Sequence, residues 1–331
     1  MNKKVVLAAR PQGQPVVSDF EILEEEIPEV GEAQVLLEVE YLSVDAFIRT
    51  TLDGDSGIHG TMALNTPVTA LGVARVVDSR FEDLQQGDAV FGPMGAQTHV
   101  VVPGNSVRKL AKSQVPARTY LGALGMTTGL TAYVGMITVG EVRENDTVVV
   151  SAAAGAVGTM ACQFAKLAGA RTIGIAGGPA KVEFLIDEIG CDAAIDYKGE
   201  NVAERLKMLA PLGVNVFFDN VGGELLDTVL DQIAVGARVV ICGAISQYND
   251  LSSVRGPDLY LRLAERNASM RGFTVDHHTE QFAEMEKKIS TWMEQDKLKM
   301  PEHIEQGIEQ FPKALVMLFT GGHMGKLLVA V

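Results

Sequence analysis

A chain of 331 residues has room for one large or two medium domains, and 47% hydrophobic content with 34 glycines spread along it marks an ordinary α/β protein. The formal charge of -14 argues against nucleic acid or an anionic membrane as partner, since both require a basic face, and leaves a small molecule as the expected ligand. Three scattered cysteines, Cys162, Cys191 and Cys242, make neither a disulfide framework nor a thiolate zinc site, which fits a reducing, cytoplasmic setting.

The opening MNKKVVLAARPQG holds too short an apolar run for the core of a signal peptide. Short apolar runs broken by Gly, Pro and Asp follow (VLLEVEYLSV, GVARVVDS, GDAVFG, THVVVP), and they predict an all-β, barrel-like unit. Tyr120 to Gly140 carries no charge and is long enough to span a bilayer, but its many glycines and threonines suit a buried helical junction better.

Beyond about residue 145 strands alternate with helices: DTVVVSA with GTMACQFAKLAG, RTIGIAG with KVEFLIDEIG, DAAIDY with NVAERLKMLA, VNVFFDN with ELLDTVLDQIAVG, and ARVVICGA with PDLYLRLAERN. This is the rhythm of a doubly wound parallel sheet, its strands Val/Ile-rich because both faces are covered. MRGFTV is expected as its edge strand, and TEQFAEMEKKISTWMEQD as an amphipathic helix. The last segment has strand, helix and strand character, so residues 1–122 are expected to form a first domain completed by 300–331, and 123–299 a second.

SAAAGAVGTM, after the strand Thr147 to Val150, reads as a dinucleotide turn in which Ala153 replaces the first glycine of G-x-G-x-x-G. Gly155 and Gly158 keep the roles of backbone approach to the pyrophosphate and close helix packing, and Ala153 is tolerable at negative φ. The helix from Ala156 points its N–H groups at the phosphates. After the second strand comes Ile175-Ala176-Gly177-Gly178-Pro179-Ala180-Lys181, with no acid before Glu183 to accept a ribose 2′-OH. Lys181 stands where a 2′-phosphate needs a counter-charge, so NADP(H) is favoured over NAD(H).

AAAGAVG, FDNVGGELLDTVL and VVICGAISQYN, with AARPQGQPV and GKLLVAV, resemble the zinc-independent medium-chain reductases of enone double bonds, the prostaglandin/leukotriene and curcumin reductase group, nearly end to end. The resemblance implies a GroES-like β-barrel catalytic domain plus a doubly wound parallel-sheet Rossmann domain, and NADPH-dependent reduction of 2-alkenals or 2-alkenones. Carried over residue by residue, it implies a pyrophosphate turn at Ala154, Gly155, Ala156, Val157 and Gly158, and 2′-phosphate contacts at Lys181 and Tyr197. It further implies nicotinamide and ribose contacts at Asn220 and at Cys242, Gly243, Ala244, Ile245 and Ser246, backbone contacts at Phe273 and Val275, and a cofactor position at His323. Tyr248 of ISQYN matches the family tyrosine beside the nicotinamide ribose and is the catalytic candidate. A phenol, with a pKa of about 10, is protonated at neutral pH and can donate a hydrogen bond to the carbonyl oxygen that gathers charge as hydride reaches the β-carbon.

A catalytic zinc would need three protein ligands. The first domain has no cysteine, its early histidines are only His59 and His99, and the G-H-E signature of zinc enzymes is missing. The chain departs from many relatives at Asp45-Ala46-Phe47-Ile48-Arg49, where they read D-P-Y-M-R, so Phe47 is expected to face substrate without the phenol. DLSSVRGPD replaces their proline-rich loop, and His323 stands where they often carry asparagine. A quinone reductase with the same cofactor and a non-enzymatic NADPH-binding protein are the alternative functions. The family also implies a homodimer joined at the sheet edge, where an exposed apolar strand needs cover.

Overall fold

The computed structural model describes residues 1–54, 59–111 and 115–331. The chain forms two compact units, one of Met1–Leu121, Glu302–His323 and Leu327–Val331, the other of Gly122–Pro301 and Met324–Lys326. In chain order the strands are β1 (Asn2–Leu7), β2 (Phe20–Glu25), β3 (Gln34–Ser43), β4 (Leu71–Ser79), β5 (Ala89–Pro93), β6 (His99–Pro103), β7 (Arg108–Lys109), β8 (Thr147–Val150), β9 (Arg171–Ala176), β10 (Ala193–Asp196), β11 (Val214–Asp219), β12 (Ile233–Ile241), β13 (Ser269–Gly272), β14 (Glu302–Gln306) and β15 (Lys326–Ala330).

In the first unit β1 and β2 pair antiparallel, and a larger sheet runs β14-β15-β3-β4-β5-β7 with β6 also on β3. Alternation along β3 sends Val35, Leu37 and Val39 inward, and bulges near Leu37 and Tyr41 bend the strand so the sheet can curl around that core. Val5, Leu7, Ile48, Leu52, Val90, Phe311 and Leu327 fill the interior.

The second unit is one parallel sheet in the order β10-β9-β8-β11-β12-β13, with the order reversing between β8 and β11. In such sheets ligands bind outside the carboxyl ends of the strands at that reversal. The helices connecting these strands are α2 (Ala156–Leu167), α3 (Pro179–Asp187), α4 (Val202–Leu209), α5 (Gly223–Leu230) and α6 (Leu261–Glu265), preceded by a short α1 (Thr131–Tyr133) and followed by α7 (Phe282–Glu294). α8 (Phe311–Thr320) belongs to the first unit. Tyr133, Phe164 and Trp292 lock α1, α2 and α7 together, with ring centroids 5.6 to 6.2 Å apart. The run Ala117–Val139 is long and apolar enough to cross a membrane, yet 67% of its most apolar window is buried inside the protein.

Several elements differ from the sequence expectation. Met324–Lys326 lies with the second unit, because Gly325 N–H donates to Ala154 O at 2.9 Å and Lys326 N–H to Pro301 O at 2.8 Å. The stretch IAVG, expected to end a helix, opens β12, since Ile233 pairs with Val214 in the sheet. PDLYLRLAERN yields only the short α6. The edge strand stops at Gly272, opposite the last residue of β12, so Phe273 and Val275 lie beyond it.

Candidate functional site

The turn after β8 is shaped by strain, close packing and buried hydrogen bonds. Ala153 does not require a positive φ, while Ala152 carries φ 46°, a left-handed conformation that costs a non-glycine residue about 1 kcal/mol. Ala153 is thus tolerated as expected, and the strain of the turn sits one residue earlier, at Ala152. Its carbonyl takes the Gly155 N–H at 3.0 Å and lies 2.3 Å from where a Cβ on Gly158 would stand, so the third glycine of the motif is required by space. Gly155 precedes α2 with φ -82° and ψ 176°, open to any residue, and its smallness leaves the backbone accessible to a phosphate.

Behind this turn lies an arrangement that the glycine motif does not include. Ser151 Oγ donates to Asp219 Oδ1 at 2.8 Å and accepts from Asn220 N, also at 2.8 Å; Asn220 Nδ2 donates to Ser151 O at 2.7 Å. Asp219 is fully buried and also accepts the Val221 and Gly222 N–H groups at 2.9 and 3.0 Å, while burial pushes its carboxyl above the usual range. It braces the ends of β8 and β11 at the reversal of strand order. The signal was available in FDN, one residue before Asn220.

The segment after β12 hangs on the same brace. Cys242 and Gly243 N–H donate to Asp219 O, Ile245 N–H to Asn220 O at 3.1 Å, and Ser246 Oγ to Val221 O at 2.6 Å. Burial first, and then the Asp219 charge, push the Cys242 thiol up to about 12, so it is no nucleophile at neutral pH. Tyr248 folds back over this segment: its hydroxyl oxygen accepts the Ala244 N–H at 3.2 Å and lies 2.9 Å from where a Gly243 Cβ would stand. A phenol has one proton, so with its oxygen accepting from the backbone that proton is available to an outside acceptor. Burial raises the Tyr248 pKa further and keeps the group protonated.

At the end of β9, Lys181 is half-buried on α3, and burial followed by the Lys198 charge lowers its pKa. Tyr197 is exposed, its ring lying against Gly177. An acid also reaches this turn, through β10: Asp196 Oδ1 accepts the Gly178 N–H at 2.7 Å. The Phe273 ring lies against Gly135, which Phe218 also approaches; Val275 is buried. Thus Ala154–Gly158, Lys181, Tyr197, Asn220, Cys242–Ser246, Tyr248, Phe273 and Val275 follow the carboxyl ends of six strands in one sheet.

Phe47 and His323 belong to the first unit. Phe47 is half-buried, its ring 5.4 Å from His59, and Thr50 Oγ1 bonds both Phe47 O and His59 Nδ1. His323 is buried.

Comparisons with known proteins agree end to end. A family model described as the N-terminal domain of oxidoreductase matches residues 3–110, and one described as zinc-binding dehydrogenase matches residues 156–291. Despite that second description, no group of three or more His, Cys, Asp or Glu able to hold a metal ion exists among the described residues, so the donor set does not suit zinc. The chain is 33% identical to the NADPH-dependent curcumin reductase of Escherichia coli over 100% of its own length and 97% of the relative's. It is 35% identical to an NADP(+)-dependent 2-alkenal reductase of Nicotiana tabacum, again over 100% and 97%. The crystal structure of CurA in complex with NADPH from Vibrio vulnificus superposes with a TM-score of 0.94 at 34% identity, covering 99% of both chains.

Proposed function

The chain belongs to the zinc-independent medium-chain dehydrogenase/reductase family, and on that premise we propose that it reduces the carbon–carbon double bond of α,β-unsaturated ketones and aldehydes, with Tyr248 steadying the charge that develops on the carbonyl oxygen. NADP(H) is the cofactor, and when bound it supplies the hydride.

The residues divide the remaining work. Ala154, Gly155, Ala156, Val157 and Gly158 present backbone N–H groups to the pyrophosphate, and Lys181 and Tyr197 hold the 2′-phosphate. Asn220, Cys242–Ser246, the backbone of Phe273 and Val275, and His323 orient the nicotinamide half. Phe47 offers substrate an apolar wall. The Tyr248 proton is donated to the substrate carbonyl oxygen, in a hydrogen bond that strengthens as charge moves there.

One observation carries this reading: the Tyr248 oxygen is engaged by Ala244 N–H while its own proton is left to donate. Rates of NADPH and NADH oxidation with a panel of enones, enals and quinones test it. Turnover of enones and enals is expected, with NADPH preferred, and Tyr248→Phe should lower their kcat by roughly 10²–10³ while affecting quinones far less. A small, equal effect on both substrate classes would remove the case for this tyrosine.

The same reading includes a homodimer through β13, the edge of the parallel sheet, and a cytoplasmic location in keeping with three free thiols. Sedimentation at the monomer mass would refute the dimer.

A further inference from the structure

Lys181 has a neighbour of like charge that the dinucleotide motif does not include. β10 ends at Asp196, and the chain then turns back toward the end of β9. Asp196 Oδ1 clasps two backbone donors, Gly178 N at 2.7 Å and Lys198 N at 2.9 Å, while Asp196 N donates to Glu200 Oε2 at 2.9 Å. The clasp ties the β10 turn to the residue that precedes α3. As a result the Tyr197 ring and the Lys198 stem both lie over Gly177: a Cβ there would be 2.8 Å from Tyr197 Cε1 and 2.9 Å from Lys198 Cε. The missing side chain at Gly177 leaves room for both of them there.

Lys181 and Lys198 approach within Coulomb range, yet neither ammonium forms an ion pair within 4.0 Å among the described residues. Two ammonium groups near one turn, Lys198 facing the Asp196 charge at longer range and set beside the Tyr197 ring, suit a compact dianion better than a sugar hydroxyl, because a phosphate monoester carries close to two charges and has oxygens enough for both.

We propose that Lys198 is a second cation for the 2′-phosphate of the cofactor, and that Asp196 is the positioning residue that turns it toward Lys181. The inference rests on the NADP(H) reading above and adds to it. A lone Lys181 would hold the phosphate on one side; the pair brackets it, and Asp196 spends one carboxylate oxygen on backbone N–H groups.

The test uses the intact protein and calorimetric titration with adenosine 2′,5′-bisphosphate, adenosine 5′-diphosphate, NADPH and NADH. Lys198→Met is expected to weaken the two 2′-phosphorylated ligands roughly tenfold and leave the other two within about twofold, with Lys198→Arg restoring most of the loss. Asp196→Ala should weaken the same two ligands, and Asp196→Asn, which keeps the accepting oxygen, should not. Lys181→Met serves as the reference. If Lys181→Met loses 2′-phosphate discrimination and Lys198→Met does not, the proposal falls and the cofactor reading stands. If Lys198→Met weakens all four ligands alike, Lys198 has only a structural role and the proposal also falls. If the unaltered protein binds both adenosine ligands equally, the cofactor reading fails, and this proposal with it.

Discussion

The turns after β8 and β9 lie at the same end of one parallel sheet and are each proposed to meet a phosphate, but their construction differs. The first, Ser151 to Gly158, has no exposed residue, contains a left-handed alanine, and is backed by the Ser151–Asp219–Asn220 hydrogen bonds. The second, Gly177 to Lys181 with Tyr197 and Lys198, is open to solvent, glycine-lined and dominated by two ammonium groups. One presents a fixed backbone shape and the other a charge. Shape of this kind tolerates almost no added volume, whereas charge on flexible stems tolerates replacement at a cost in affinity and little in stability.

The sharpest way to break that comparison is to add one carbon to the first turn. Gly158→Ala places a Cβ 2.3 Å from the Ala152 carbonyl oxygen and 2.7 Å from Ala153 Cα, both backbone atoms. A loss of about 3 kcal/mol in unfolding free energy is expected by denaturant titration, together with loss of NADPH binding. Stability like that of the unaltered protein would show that the turn is not sterically closed.

Removing the brace should cost somewhat less. Asp219→Ala leaves the Ser151 hydroxyl and the Val221 and Gly222 N–H groups without their acceptor, for about 2 kcal/mol. The pH dependence has a definite sign. Because burial raises the Asp219 pKa, the folded protein holds that proton more tightly than the unfolded chain. Its stabilising contribution is full below the ordinary carboxylate range and is lost as pH rises through the raised value. The stability gap between Asp219→Ala and the unaltered protein should therefore narrow from acid toward neutral pH, and a widening gap would contradict the assignment.

The smallest effect is expected where the first turn is strained. Ala152→Gly relieves a positive φ and should stabilise the protein by roughly 0.5 kcal/mol, part of the gain being cancelled by the freer unfolded chain. If it destabilises, the Ala152 methyl has a packing role that outweighs the strain.

Much of this was legible from local pattern. Val/Ile-rich runs alternating with amphipathic stretches announced the parallel sheet, and the glycine spacing located the turn between β8 and α2, because both depend on neighbours in sequence. What escaped were the partnerships across strands. The left-handed Ala152 carried no mark in the sequence, since nothing in the residue type requires a positive φ there. Asp196 reaches the β9 turn from β10, so a reading along the chain past Ala176 met no acid. The IAVG stretch was expected in a helix because its apolar residues fit either period, and only pairing of Ile233 with Val214 decides for a strand.

The sequence by itself therefore determined the class of fold through hydrophobic period and turn residues, the cofactor through the glycine turn and Lys181, and the family through the resemblance of motifs such as AAAGAVG and VVICGAISQYN; these are local properties that survive without coordinates. Tertiary structure decided which polar groups act together. Ser151 with Asp219, Tyr248 with Ala244 N, and Lys198 with Lys181 are brought together by strand order, by a backbone fold-back and by a clasped turn. Hydrogen bonds and ion interactions act over a few ångströms of space, whatever the separation along the chain, and that distance is set only when the sheet is assembled.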